Sequence, residues 1–254
     1  MTDYRIEKDS LGEVKVPKDV YWGAQTQRAI ENFPISGETF EPGFIRALGI
    51  IKKSAAKANG ELGFLEEKTV NSIVLAADEV ISGELIDQFQ VDVFQTGSGT
   101  SSNMNANEVI ANRACEIAGE GIGSKVIHPN DHVNFGQSSN DIIPTAMHVA
   151  ALESIDKEVI PALETLKRAL EKKEKAFSEI VKTGRTHLQD ATPITLGQEF
   201  GGYKTQIEKG IKRIENVRGS LAELPIGGTA VGTGLNMHPN FPKMAIEYIS
   251  EETG

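Results

Sequence analysis

The chain has 254 residues with ordinary globular proportions of apolar and charged residues and few aromatics. Lys plus Arg number 26 against 36 Asp plus Glu, a net charge of −10, so it is poorly suited to nucleic acid or an anionic membrane surface. A single cysteine, Cys115, excludes an intrachain disulfide and suits a cytoplasmic setting, and neither a signal peptide nor a membrane-length apolar run is legible.

Residues 1–40 read as irregular, with short extended pieces around Tyr4–Glu7 and Glu13–Val16 and the aromatics Tyr4, Tyr21, Trp22 and Phe33 as loop anchors. Helical periodicity starts near Pro42, where Phe44, Leu48, Ile51 and Ala55 share one face. A second helix is predicted over 66–81 on Val70, Ile73, Val74, Ala77 and Val80. A third grows out of the Gly/Ser/Asn-rich turn after Thr96 and runs to about Ala118, with Cys115 as a small buried apolar group.

The strongest periodicity follows. Leu152, Ile155, Val159, Leu163, Leu166 and Leu170 form one stripe, with Pro144 marking its start and Pro161 bending its middle. The stretch 183–195 reads as a polar turn opening a helix, with Thr192 as cap and Pro193 at the first helical position. That helix carries Leu196, Phe200, Tyr203, Ile207, Ile211, Ile214 and Leu221, and a short helix begins near Asn240. Long helices with one apolar stripe call for an antiparallel bundle. The predicted class is mainly α: a mixed helical domain over 1–137, then the first long helices of a central antiparallel bundle over 138–254, which reads as stopping inside a domain.

Three polar stretches carry the chemistry. Thr96-Gly-Ser-Gly-Thr-Ser-Ser-Asn-Met-Asn-Ala-Asn107 opens a helix with more hydroxyls than a cap requires and suits a carboxylate or phosphate, without the Gly-Lys-Ser/Thr ending of a P-loop. The second runs from His128-Pro-Asn-Asp131 to Ser138-Ser-Asn-Asp141. Its histidines lack the His-Glu-x-x-His spacing of a zinc helix and no cysteine lies near, so no metal is expected. The third is the stretch around Thr186 and His187. Neutral donors, a histidine and scattered cations suit a small polyanion whose charge moves during reaction.

Together Gln95-Thr-Gly-Ser-Gly-Thr100, His128-Pro-Asn-Asp131, Gln137-Ser-Ser-Asn-Asp141, Gly184-Arg-Thr-His-Leu-Gln-Asp-Ala-Thr-Pro193 and Gly227-Gly-Thr-Ala-Val-Gly-Thr-Gly234 resemble class II fumarases of the fumarase/aspartase superfamily. The resemblance covers essentially the whole chain. It implies a metal-independent, cofactor-free homotetramer that hydrates fumarate reversibly to L-malate. Ser98, Thr100, Asn140, Thr186 and His187 would line the site, with Ser138 and Ser139 close by. Thr100, Asn140 and Thr186 would hold carboxylates, and His187 would position and polarise substrate or water.

A second anion site is implied at Lys125, His128, Asn130 and Asp131, with Lys125 where relatives commonly carry Arg. The family's Gly-Ser-Ser base loop has no counterpart in these residues, so the resemblance implies an N-terminal part, inactive alone. Two alternatives stand beside it: an aspartate ammonia-lyase of the same superfamily, and a non-catalytic helical structural or binding protein. His187 and Ser138-Ser-Asn140 favour the hydratase.

Overall fold

The computed structural model describes residues 3–254. The antiparallel hairpin β1 (Tyr4–Asp9) and β2 (Gly12–Pro17) opens the chain, followed by α1 (Ala24–Asn32), α2 (Pro42–Glu61), α3 (Glu67–Ser82) and α4 (Thr100–Ile117). A one-turn π-helical segment, Pro129–Val133, leads to α5 (Ser139–Ser154), and a second, Ile155–Val159, to α6 (Ile160–Ala176). The antiparallel pair β3 (Val181–Thr186) and β4 (Gln189–Thr195) precedes α7 (Leu196–Leu221) and α8 (Phe241–Thr253). The fold is mainly helical, as the sequence predicts. No helix among the described residues is long and apolar enough to cross a membrane.

The chain divides into two compact units, 1–150 with 224–254, and 151–223, so the change of texture near Gln137 falls inside the first. Its core joins Leu48, Ile50 and Ile51 of α2, Ile73 and Val80 of α3, and Val109 and Ile110 of α4 with Ile142 of α5 and Phe241 of α8. Burying such side chains contributes about 1.5–3 kcal/mol each. Cys115 is buried among them, and its sulfur accepts from Ile127 N at 3.3 Å. The short last helix, expected to extend the bundle, belongs to this unit and packs on α2.

The second unit is the helix pair α6 and α7 with the β3–β4 hairpin. Gly197 permits the close approach: a Cβ there would lie 2.6 Å from Glu174 O and 2.8 Å from Ser178 Cα.

Four sequence expectations are corrected. Residues 24–32 are helical, because α1 is capped from a distance: the buried Glu108 carboxylate accepts from Gly23 N, Gln25 N and Thr26 N at 2.9–3.0 Å. Tyr4 is exposed rather than an anchor, since it lies on the outer face of a two-stranded hairpin. Pro144 lies inside α5, which starts five residues earlier at Ser139, and the break falls at Ile155–Val159, just before Pro161 in the first turn of α6.

The fourth concerns 183–195, which is a hairpin and not a turn opening a helix. Pro193 pairs in register with Thr183, and the cap is Thr195, whose Oγ1 accepts from Gln198 N while Gln198 Oε1 accepts from Thr195 N.

Candidate active site

In the first unit the turn before α4 and the start of α5 meet. Gly99 caps α4 at φ 69°, a left-handed conformation that glycine adopts without penalty, and a Cβ there would press on Ile143 of α5 at 2.9–3.1 Å. This close approach lets Thr100 Oγ1 lie 3.0 Å from both Ser98 Oγ and Ser139 Oγ. Ser98 and Thr100 are exposed, so the string of hydroxyls faces solvent. Beneath it, Gln95 Oε1 accepts from Ser102 N at 2.9 Å and ties the turn to the helix.

The start of α5 is fixed by a buried carboxylate. Asp141 Oδ1 accepts from Ser138 N at 3.0 Å, and Oδ2 accepts from Gly227 N at 3.0 Å and Thr229 N at 2.9 Å. The 227–229 backbone is shaped for this, with Gly227 at φ 94° and Thr229 at φ 54°. Asn140 is exposed, and its Nδ2 donates to Ala230 O at 2.7 Å, leaving Oδ1 turned away from that bond. A cavity of about 650 Å³ opens between these loops, lined by Asn130, Asp131, Asn134, Gln137, Ser138 and Thr229 among others.

The π-helical turn before it is organised by two histidines. His128 Nδ1 accepts from Asn130 N at 3.3 Å and Asp131 N at 3.2 Å, capping its own turn. His132 Nδ1 accepts from His128 N at 2.9 Å, and burial lowers the pKa of His132. Lys125, His128 and Asn130 line a second cavity of about 240 Å³ together with Glu7, Asp9 and Glu108. Lys125 adopts φ 60°, and its ammonium donates to Lys8 O at 2.7 Å. Burial raises the Glu108 pKa despite its three amide donors. This pocket is therefore far from uniformly cationic.

Thr186 and His187 lie in the second unit, at the end of β3 and in the two-residue loop after it. His187 and Leu188 both have positive φ, 51° and 61°, as the twist of a tight antiparallel hairpin requires. Holding non-glycine residues there costs about 1–3 kcal/mol each, strain of the kind that concentrates at functional sites. Leu188 is 95% exposed at the tip. At the hairpin's base Lys182 pairs with Glu199 of α7, and that pairing, with the Tyr203 hydroxyl, lowers the Glu199 pKa.

The predicted residues thus assemble in part. Ser98, Thr100 and Ser139 form one hydrogen-bonded string, Ser138 and Asn140 adjoin it, and Thr186 and His187 share the hairpin tip. Lys125, His128 and Asn130 share one cavity, whereas Asp131 lines the other. Sequence reasoning passed over Asp141 as an anchor and missed Lys52 altogether. Lys52 is fully buried beneath the 134–137 turn. Its signal was legible: a lysine set among Leu48, Ile51 and Ala55 on the apolar stripe of α2. No group of three or more His, Cys, Asp or Glu among the described residues is arranged to hold a metal ion.

Comparison with known proteins agrees with this architecture. A family model described as lyase matches residues 12–254. The fumarate hydratase class II of Halobacterium salinarum is 69% identical over 99% of this chain and 54% of its own length. Among solved structures, a recombinant class II fumarase from Schistosoma mansoni superposes with a TM-score of 0.94 at 40% identity, covering 99% of this chain and 53% of that one. The fumarate lyase:delta crystallin from Brucella melitensis bound to cobalt gives a TM-score of 0.95 at 47% identity over 99% of this chain and 55% of that one. The chain therefore spans about half the length of the relatives it matches, and it belongs to the lyase family, where its similarity is to class II fumarases.

Proposed function

We propose that this chain is the N-terminal part of a fumarate hydratase, catalysing the reversible trans hydration of fumarate to L-malate. The observation that carries this reading is the hydrogen-bonded string Ser98–Thr100–Ser139 beside Asn140, four neutral donors, with Ser98, Thr100 and Asn140 exposed, where the turn before α4 meets the start of α5. Fumarate presents two carboxylates at fixed separation. In the dehydration direction a base removes a proton from the carbon next to one of them, and the electron pair moves onto that carboxylate as an aci-carboxylate dianion. Donors fixed at those oxygens stabilise the charge as it develops, typically the largest catalytic contribution. The hydroxyl then leaves with proton assistance.

In this reading Thr100 and Asn140 of the first unit hold carboxylates and Ser98, Ser138 and Ser139 complete that donor set, while in the assembled homotetramer Thr186 of the second unit holds a carboxylate and His187 positions and polarises substrate or water. Lys125, His128, Asn130 and Asp131 form a second anion site, weakened because Lys125 keeps the charge but lacks the planar bidentate fork of an arginine. The proton-abstracting base lies outside these residues, so the chain is inactive alone and acts as part of a homotetramer without cofactor or metal.

The test mixes this chain with the remaining portion of a class II fumarase and follows fumarate absorbance on adding L-malate, with L-aspartate as the competing substrate. Turnover of malate on mixing supports the hydratase. Turnover of aspartate instead supports an ammonia-lyase, and silence with both refutes the catalytic reading.

A further inference from the structure

Lys52 sits on the buried face of α2 with no part of it reaching solvent. Its ammonium donates to Asn134 Oδ1 at 2.9 Å and Gln137 Oε1 at 2.8 Å, two neutral oxygens and not a carboxylate. Burying a cation in this way is costly, and a well-packed apolar side chain of similar volume commonly gives more stability. Stability therefore does not account for it.

What the ammonium holds is the turn that delivers Ser138, Ser139 and Asn140. Asn134 Oδ1 also accepts from Asn103 Nδ2 at 3.2 Å, and Gln137 Nε2 donates to Val133 O at 3.0 Å. With Lys52 present, each amide points its oxygen inward to the cation, and the backbone between them follows. At the far end of the same segment Asp141 gathers Ser138 N, Gly227 N and Thr229 N. The segment is thus held between a buried cation and a buried anion that attract each other, since the Asp141 charge favours the charged form of Lys52. Asn134, Gln137 and Ser138 all face the 650 Å³ cavity, as does Thr229, whose buried hydroxyl has no hydrogen-bond partner.

We propose that Lys52 is a positioning residue which, acting through Asn134 and Gln137, sets the placement of Ser138, Ser139 and Asn140 and supplies positive potential beneath the dicarboxylate they hold. The second half of this rests on the reading of that segment as substrate-binding.

Burial brings the Lys52 pKa down to about 7, so its charge changes across neutral pH. Asp141 is the charged group acting on it. The turn before Asn134 carries the titratable His128, Asp131 and His132, and α4 presents the neutral Asn103. On the other elements against α2, Asp78 of α3 and Glu252 of α8 are taken up by Lys53.

The experiment is an amide NMR titration of the full chain across neutral pH. In the wild type the amides of 138–141 move together with an inflection near pH 7. Lys52→Met removes that inflection while the shifts driven by His132 remain. Gln137→Glu gives the ammonium a carboxylate and raises its proton affinity at least tenfold, moving the inflection up by one pH unit or more. Should Lys52→Met fail to fold, the wild type and Gln137→Glu decide.

Wild-type 138–141 amides that do not move, or an inflection unchanged in Lys52→Met or Gln137→Glu, overturn the positioning role. Fumarate titrated into the same samples binds several-fold more tightly below the inflection than above it, and with no such pH step in Lys52→Met. Absence of fumarate binding at every pH overturns the substrate reading alone, because the amide titration still decides what Lys52 positions.

Discussion

Removing the Asp141 carboxylate tests how the site is held. Asp141→Ala leaves the amides of Gly227 and Thr229, both in buried residues, without an acceptor, while the half-buried Ser138 N rehydrates. Each buried unsatisfied donor costs about 1–3 kcal/mol, so the loss is about 4 kcal/mol before the withdrawal of a counter-charge from Lys52 is added. Asp141→Asn behaves differently. Its oxygen can still serve Gly227 and Thr229, but its amide then faces Ser138 N, donor to donor, at a cost of about 1–2 kcal/mol.

Trp22 is the sole tryptophan, and it lies in the first unit, where its Nε1 donates to Gln27 Oε1 at 3.0 Å. Its fluorescence therefore follows unfolding of the unit that contains Asp141. At about 2–4 °C per kcal/mol for a unit of this size, Asp141→Ala lowers the midpoint by roughly 8–16 °C and Asp141→Asn by only a few degrees. An alanine variant destabilised by less than about 1 kcal/mol refutes the anchor.

Two further outcomes follow from the packing. Gly197→Ala drives a Cβ to within 2.6 Å of Glu174 O, a backbone atom that cannot swing aside, so the α6–α7 pair loses about 1–3 kcal/mol, measured as loss of amide-exchange protection confined to 160–221. Lys52 also makes stability depend on pH. Its folded pKa, about 7, lies below the ordinary lysine value of 10.5, so the unfolded chain binds more protons between the two. The cost of burying the charge is present in full below pH 7 and is relieved as pH rises, by up to about 1.4 kcal/mol per unit. Tyr21 and Tyr248, whose phenols are raised, act only at the top of this range or above it. Denaturant titrations across that range give a positive slope that Lys52→Met flattens.

Much of the fold was legible because the apolar stripes are local. The faces built on Leu48, Ile51 and Ala55, and on Ile73, Ala77 and Val80, declared helices that the structure contains. What escaped depends on partners distant in sequence. The helix α1 has no side-chain cap of its own, and the carboxylate that caps it comes from Glu108, more than eighty residues away. The 183–195 hairpin escaped for a different reason. Its polar composition and Pro193 read as a turn entering a helix, and only the pairing with Val181–Thr186 makes it a strand. Within the site, residue types announced the hydroxyls of Thr100 and Ser139. Their meeting depends on Gly99 allowing Ile143 to approach, which no local pattern encodes.

The central claim is that neutral donors at the start of α4 and α5 hold the substrate's carboxylates, and Asn140 is the residue on which to test it. The measurement is kcat/KM for L-malate in the assembly of this chain with the remaining portion of a class II fumarase, comparing wild type with Asn140→Asp. Replacing the amide by a carboxylate removes a donor and sets like charge against the dianion, and the account predicts a loss of about 100-fold or more. An Asn140→Asp assembly that turns malate over as well as the wild type would contradict it.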